Sequence, residues 1–503
     1  MKTLSFALIC FLVIALPHTM VGEETVTSNK PVLLPVKNDP TISFRIWFKV
    51  GSQNDPAGKE GLASVTAAML SDASTEKNSY SEILEKLYPL ATSYNASAST
   101  EMTVFYGRTH KDNAQQFYSL FMDAILVPAF KQEDLDRIKS QLINYIENTL
   151  RYASDEELGK AVLYNELFRE TPYGHLLAGT SDGIKSITID DVRSFYKQYY
   201  TKENLVIGLG GGYSPELLAT LKKDLAKLPA GAPKPVPVAK AKNLDGLDFT
   251  IVEKDAASTA ISMGFPIKAL RGTKDWYALA IANSWLGEHR NSSSHLYQVI
   301  REARGLNYGD YSYIENYPNA GQRQLPPQNV SRRQQIFEIW IRPVPNETRL
   351  FALRAALREF KNLTEHGMTK NDFDLTRSFL NKYVLHYAPT TMERLAYALD
   401  DRFYGLTASH LETFRKMMKT LTLSDVNASI KKHWQYGKME IAVVTKDANG
   451  FRAALLKNAP SPIKYSTPKP ESVLNEDKEI VSFPIKVKEA NIRIAPVGEL
   501  FVK

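Results

Sequence analysis

Glu288, His289 and His295, within LGEHRNSSSH, have the composition of a metal cluster, since carboxylate and imidazole are donors that zinc accepts. Their placement argues against it, because the run reads as a loop and gives no pair at i and i+4 on one helix face. Gly210-Gly211-Gly212, where a strand gives way to a helix, has the look of a phosphate loop. No Gly-Lys-Ser/Thr follows and no G-x-G-x-x-G spacing is completed, so the run is read as a tight turn. A third stretch is informative for what it lacks. In residues 61–75, GLASVTAAMLSDAST, the apolar Leu62, Val65, Met69 and Leu70 recur at helical spacing and define a buried face. At about 100° per residue, Ser64, Ala67, Ala68 and Ser71 share the other side, which offers only methyls and hydroxyls. Taken alone, this is a helix whose small face lets another element pack closely.

The elements around these residues follow from periodicity. Residues 41–50 alternate, with Ile42, Phe44, Ile46, Phe48 and Val50 on one side of a half-buried strand. A short helix is expected over 82–90, a strand pair over 91–98 and 102–108, and helices over 114–125, 132–150, 156–168 and 188–200. A strand follows at 204–209. The four prolines of residues 229–242 cannot build a core, so this stretch reads as an extended linker. Strands resume at 249–253 and 259–265. The second half then repeats the first: KSITIDDV at 185–192 matches KTLTLSDV at 419–426, and each opens a helix followed by a strand. This is the mark of a duplicated α+β domain. The expected organisation is an N-terminal domain over 30–228, a linker over 229–247, a C-terminal domain over 248–459 and a tail over 460–503 laid on the surface.

The chain has 503 residues, 44% hydrophobic and 23% charged, which is globular material with ample core. Its net charge of +7 is spread without a long basic block interleaved with aromatics, so nucleic-acid binding is not expected. Lys2 and the apolar run over residues 4–16 read as a secretory signal peptide occupying 1–22. The one cysteine, Cys10, lies inside it, so a cleaved chain has no disulfide, which suits the periplasm of a bacterium. No later segment is long and apolar enough to span a membrane.

The run GSQNDPAGKEGLASVTAAML resembles the opening of the pitrilysin, or insulinase, metallopeptidase family. There a glycine-flanked loop leads into an inverted H-x-x-E-H helix that holds zinc and supplies the general base. On that pattern the two histidine positions are Ser64 and Ala68, and the glutamate position is Ala67. None of the three can ligate as imidazole does. Counting back from Pro172-Tyr173-Gly174 puts the family's third ligand at Glu147, and one carboxylate cannot hold catalytic zinc.

The resemblance runs from about residue 40 to the C-terminus. ATSYNASAS is similar to the family's substrate-pairing edge strand, with Asn95 and Ala96 at its Asn-Ala positions. SSSHLYQVIREARGLNYGDYSYIE is similar to the segment in which an Arg and a Tyr seven residues apart grip substrate carbonyls, and Arg301 and Tyr308 stand at those positions. Such groups stabilise a developing oxyanion without making bonds. The resemblance implies an α+β fold of two duplicated domains and no cofactor in this chain. It further implies a zinc-bearing homologous partner with an intact H-x-x-E-H, and peptide substrates. The expected role is a non-catalytic, substrate-binding subunit of a heterodimeric zinc peptidase. The alternative is a peptide-binding or scaffold protein on the same fold.

Overall fold

The structure is a computed structural model that describes residues 29–318 and 323–503; the segment 1–22, expected to be a signal peptide, lies outside the described residues. Two sheets organise the chain. The first contains β1 (Val32–Pro35), β2 (Thr41–Phe48), β3 (Tyr94–Ala98), β4 (Thr103–His110) and β5 (Leu205–Gly211), in the order β1-β5-β2-β4-β3. The second contains β6 (Leu247–Glu253), β7 (Ser258–Ile267), β8 (Asp310–Tyr313), β9 (Gln335–Pro345), β10 (Met439–Thr445) and β11 (Ile492–Pro496), in the order β11-β6-β10-β7-β9-β8. Without β11 the two orders are identical, including the parallel pairs β1/β5 and β6/β10 amid antiparallel neighbours. This correspondence makes the fold a duplicated α+β unit. The KSITIDDV and KTLTLSDV runs open matching helices, Ile189–Tyr199 and Leu423–His433. Each is closed by a capping box, Thr188 with Asp191 and Thr422 with Asp425.

Each sheet buries one face under helices of its own half and the other under a helix of the opposite half. On the first sheet, Phe44, Phe105, Phe117 and Phe121 interlock beneath their own helices. The other face, with Trp47, Met102, Val104 and Val206, is covered by Leu399 and Phe403 of helix Thr391–Phe403. Gly210 lets that helix in: a Cβ there would stand 3.1 Å from the Thr391 side chain. The glycine run is therefore a packing device, and Gly211, at φ +94°, adds the turn. Reciprocally, helix Asp155–Phe168 belongs by sequence to the first half but buries Leu158, Val162, Leu163 and Leu167 in the core of the second sheet. It carries acids to match, with Asp155 paired to Lys254, Glu156 to Arg342 and Glu166 to Arg493.

Residues 229–246 contain no helix or strand. The tail departs from the surface layer expected of it. Helix Glu471–Val481 and β11 build it into the second half, with β11 extending the sheet beside β6 and Ile480, Ala495, Leu500 and Phe501 buried in the core. Its few apolar residues are too sparse to advertise a strand, and the exposed edge of β6 supplies what local pattern does not. β1, four residues without alternation, is also absent from the sequence-based plan and is held by its register on β5.

Candidate functional site

Helix Leu62–Ser71 starts at Gly61, whose φ of +107° only glycine takes readily, and packs against edge strand β3. The buried Asp55 carboxylate caps it, accepting from the Gly61 and Ala63 N–H groups at 2.7 Å each. Burial pushes Asp55 up to about 8. On the small face, the Ser64 hydroxyl donates to the Leu177 carbonyl, Ala67 is 2% exposed and Ala68 is half-buried. The three positions are filled by packing and carry no ligating side chain. Glu147 lies in the π-helical run Tyr145–Ala153 and turns to Lys185 at 3.2 Å, a hydrogen bond that holds its carboxyl below the usual range. Among the described residues no bond joins Glu147 to helix Leu62–Ser71. Nor, among the described residues, is any group of three or more His, Cys, Asp or Glu placed to hold a metal. The residues present do not fit zinc.

β3 pairs only with β4, leaving its other side without a backbone partner among the described residues. Asn95 is exposed and Ala96 half-buried along it. This is the geometry that accepts an added extended strand.

The structure brings Arg301 and Tyr308 together. Arg301 ends a π-helical turn, Tyr297–Glu302, and its guanidinium carbon stands 5.6 Å from the centre of the Tyr308 ring. Tyr308 is 77% exposed, and Arg301 has no carboxylate partner among the described residues. Three residues that sequence reasoning passed over hold this pair in place. Asn307 is buried, and its amide donates to Asp310 at 2.8 Å, to the Arg342 carbonyl at 3.2 Å and to the Gly309 carbonyl at 3.3 Å. Asp310 is buried, and its carboxyl is pushed well above the usual range by desolvation. Arg304, fully buried, is clamped by Asp477 at 2.9 Å and Glu476 at 3.0 Å from the tail helix. The run IREARGLNY thus contains one half-buried arginine beside Tyr308 and one for the core, three residues apart where the π-helical turn ends. The Glu476 and Asp477 that clamp Arg304 stand 172 and 173 positions away, so no local signal marks the clamp.

Glu288, His289 and His295 do not converge. The His289 ring bonds Tyr313 at 2.6 Å and the Arg323 carbonyl at 2.8 Å. His295 pairs with Glu359 at 2.7 Å and stacks on Trp285.

Comparison with known proteins adds the following. Residues 32–181 match the family described as Insulinase (Peptidase family M16), and residues 186–380 match Peptidase M16 inactive domain. The chain is 24% identical to an uncharacterized zinc protease YmxG of Bacillus subtilis, over 59% of this chain and 71% of that protein. It is also 24% identical to a non-peptidase homolog YmxG of Helicobacter pylori, over 86% of this chain and 94% of that one. A crystal structure of a peptidase M16 inactive domain from Pseudomonas fluorescens superposes with a TM-score of 0.72 at 23% identity, covering 82% of this chain and 94% of that chain.

Proposed function

The chain belongs to the insulinase family of peptidases, as a member without the zinc-binding motif, and we propose that it serves as the non-catalytic, substrate-binding subunit of a two-chain zinc peptidase. A homologous partner supplies H-x-x-E-H and its metal. This chain supplies the edge strand with Asn95 and Ala96, and the Arg301–Tyr308 pair as donors to the carbonyl under attack. The proposed setting is the periplasm, after removal of residues 1–22. Supporting this reading above all is the asymmetry of retention: Ser64, Ala67 and Ala68 carry no ligating side chain, while Arg301 and Tyr308 stay adjacent, with Tyr308 largely exposed and Arg301 without a carboxylate partner among the described residues. A buried structural pair would not remain so exposed.

The test is turnover by the chain mixed with its zinc-bearing relative, with assembly followed separately by size exclusion. The chain alone is inert, and the mixture cleaves peptide. Arg301→Ala assembles normally and lowers turnover by about 100- to 1,000-fold, or about 2.7–4 kcal/mol. Tyr308→Phe costs less, and the double variant costs less than the sum. An Arg301→Ala complex that cleaves at the wild-type rate rejects the composite site. The surviving reading is then a scaffold or peptide-binding protein, favoured by the Helicobacter pylori relative described as a non-peptidase homolog.

A further inference from the structure

A second site lies in the C-terminal half, lined by neither Arg301 nor Tyr308. It is a cavity of about 70 Å³ between helix Lys274–Gly287, the end of β8 and helix Thr391–Phe403. Its walls are aromatic, with Trp276, Tyr313, Tyr317, Tyr387 and Tyr397 contributing rings. Arg271 is the only Lys or Arg among the described lining residues, and its charge is already spent. The guanidinium grips Glu315 at two points, 3.0 and 2.6 Å. The lining histidines are held neutral by burial, His289 at about 4 and His410 well below its ordinary value.

Glu288 is the group left over. It faces the cavity with no basic partner among the described residues, and Tyr317, Tyr383 and Tyr387 lie close enough to sense its charge. Burial pushes its carboxyl up to about 7. The buried Asn283 Oδ1, also in the lining, accepts no hydrogen bond. A lone carboxylate, an idle carbonyl acceptor and several ring faces each attract positive charge, and an ammonium group engages all three. An anion would meet the Glu288 carboxylate, and beside a neutral guest the carboxyl would take up a proton, so a cation is the guest that favours its ionised form.

We propose that this cavity binds a small organic cation through an ammonium group, held by the Glu288 carboxylate, the Asn283 carbonyl oxygen and the surrounding ring faces. A free amine and a lysine side chain of a peptide share this chemistry. Isothermal titration of the purified chain with propylammonium chloride is compared with 1-propanol, which has the same number of heavy atoms, and with sodium chloride at matched ionic strength. Propylammonium binds at least about tenfold more tightly than 1-propanol, and Glu288→Gln, nearly isosteric, erases the preference. A parallel titration with Nα-acetyl-lysine amide identifies the source: binding shows that a peptide side chain enters, and its absence beside propylammonium binding assigns the site to free amines. Equal affinity for propylammonium and 1-propanol overturns the proposal, as does no saturable binding of either to the wild-type chain. A folded Glu288→Gln chain that keeps the full preference overturns it too.

Discussion

The edge strands β3 and β8 occupy the same place in two sheets whose orders match once β11 is set aside, yet one is open and the other is shut. β3 alternates, turning Asn95 and Ser97 outward. All four residues of β8 are at most 5% exposed, and the end of helix Lys274–Gly287 lies so close that a Cβ on Gly287 would stand 2.5 Å from the Ser312 nitrogen. Duplication has preserved topology and let surface diverge. The capacity to pair with a strand remains in the half whose ligating residues are gone. The exposed Arg–Tyr pair remains in the half whose edge is closed. Under the proposed function, one extended peptide would span both halves, pairing with β3 and reaching Arg301 and Tyr308.

The comparison sharpens when each half is perturbed. Replacing Glu476 and Asp477 together by Ala strands the buried Arg304 beside the Arg–Tyr segment, and urea denaturation is expected to record a loss of about 3–5 kcal/mol. A loss near zero would mean that the tail does not secure this segment. In the other half, Ala67→Glu forces a longer, polar side chain into a closed face, with an expected cost of about 1–3 kcal/mol and no zinc taken up in metal analysis. Stoichiometric zinc in that variant would show that the old site is dormant, not filled. Asn307→Ala removes four hydrogen bonds behind Tyr308 at about 1–2 kcal/mol, and turnover of the reconstituted pair falls although Arg301 and Tyr308 are untouched. Lys185→Ala frees Glu147 and changes stability by less than about 1 kcal/mol, since the pair is partly exposed. A larger effect would give Glu147 a structural duty that its surroundings do not suggest.

Much of the fold was legible because its elements carry their own period. The alternation of β2 and the KSITIDDV and KTLTLSDV repeat place helices and strands correctly. The duplicated α+β architecture follows from them. Hidden from the sequence was everything decided by a distant partner. Helix Asp155–Phe168 shows an ordinary helical pattern, and nothing local says that its apolar side belongs under β7 and β10. β1 and β11 are too short to be seen without the strands they join. At the site, residue types gave Arg301 and Tyr308 only through the family resemblance. Their support by Asn307, Asp310 and Arg304 could not be read at all, because it depends on burial and on a carboxylate 173 positions away.

The exchange of helices between the halves also sets a timetable for folding. The five strands of the first sheet have all been synthesised by residue 211, yet Trp47, Val104 and Val206 face water until residue 403 has been made. Meanwhile Leu158, Val162 and Leu167 wait for β10, complete only at residue 445. A chain interrupted between these points carries two unpartnered apolar surfaces and two growing sheets, the condition in which nascent proteins aggregate or pair with the wrong copy. Neither half can cover both faces of its sheet alone, so the two cores have to close together.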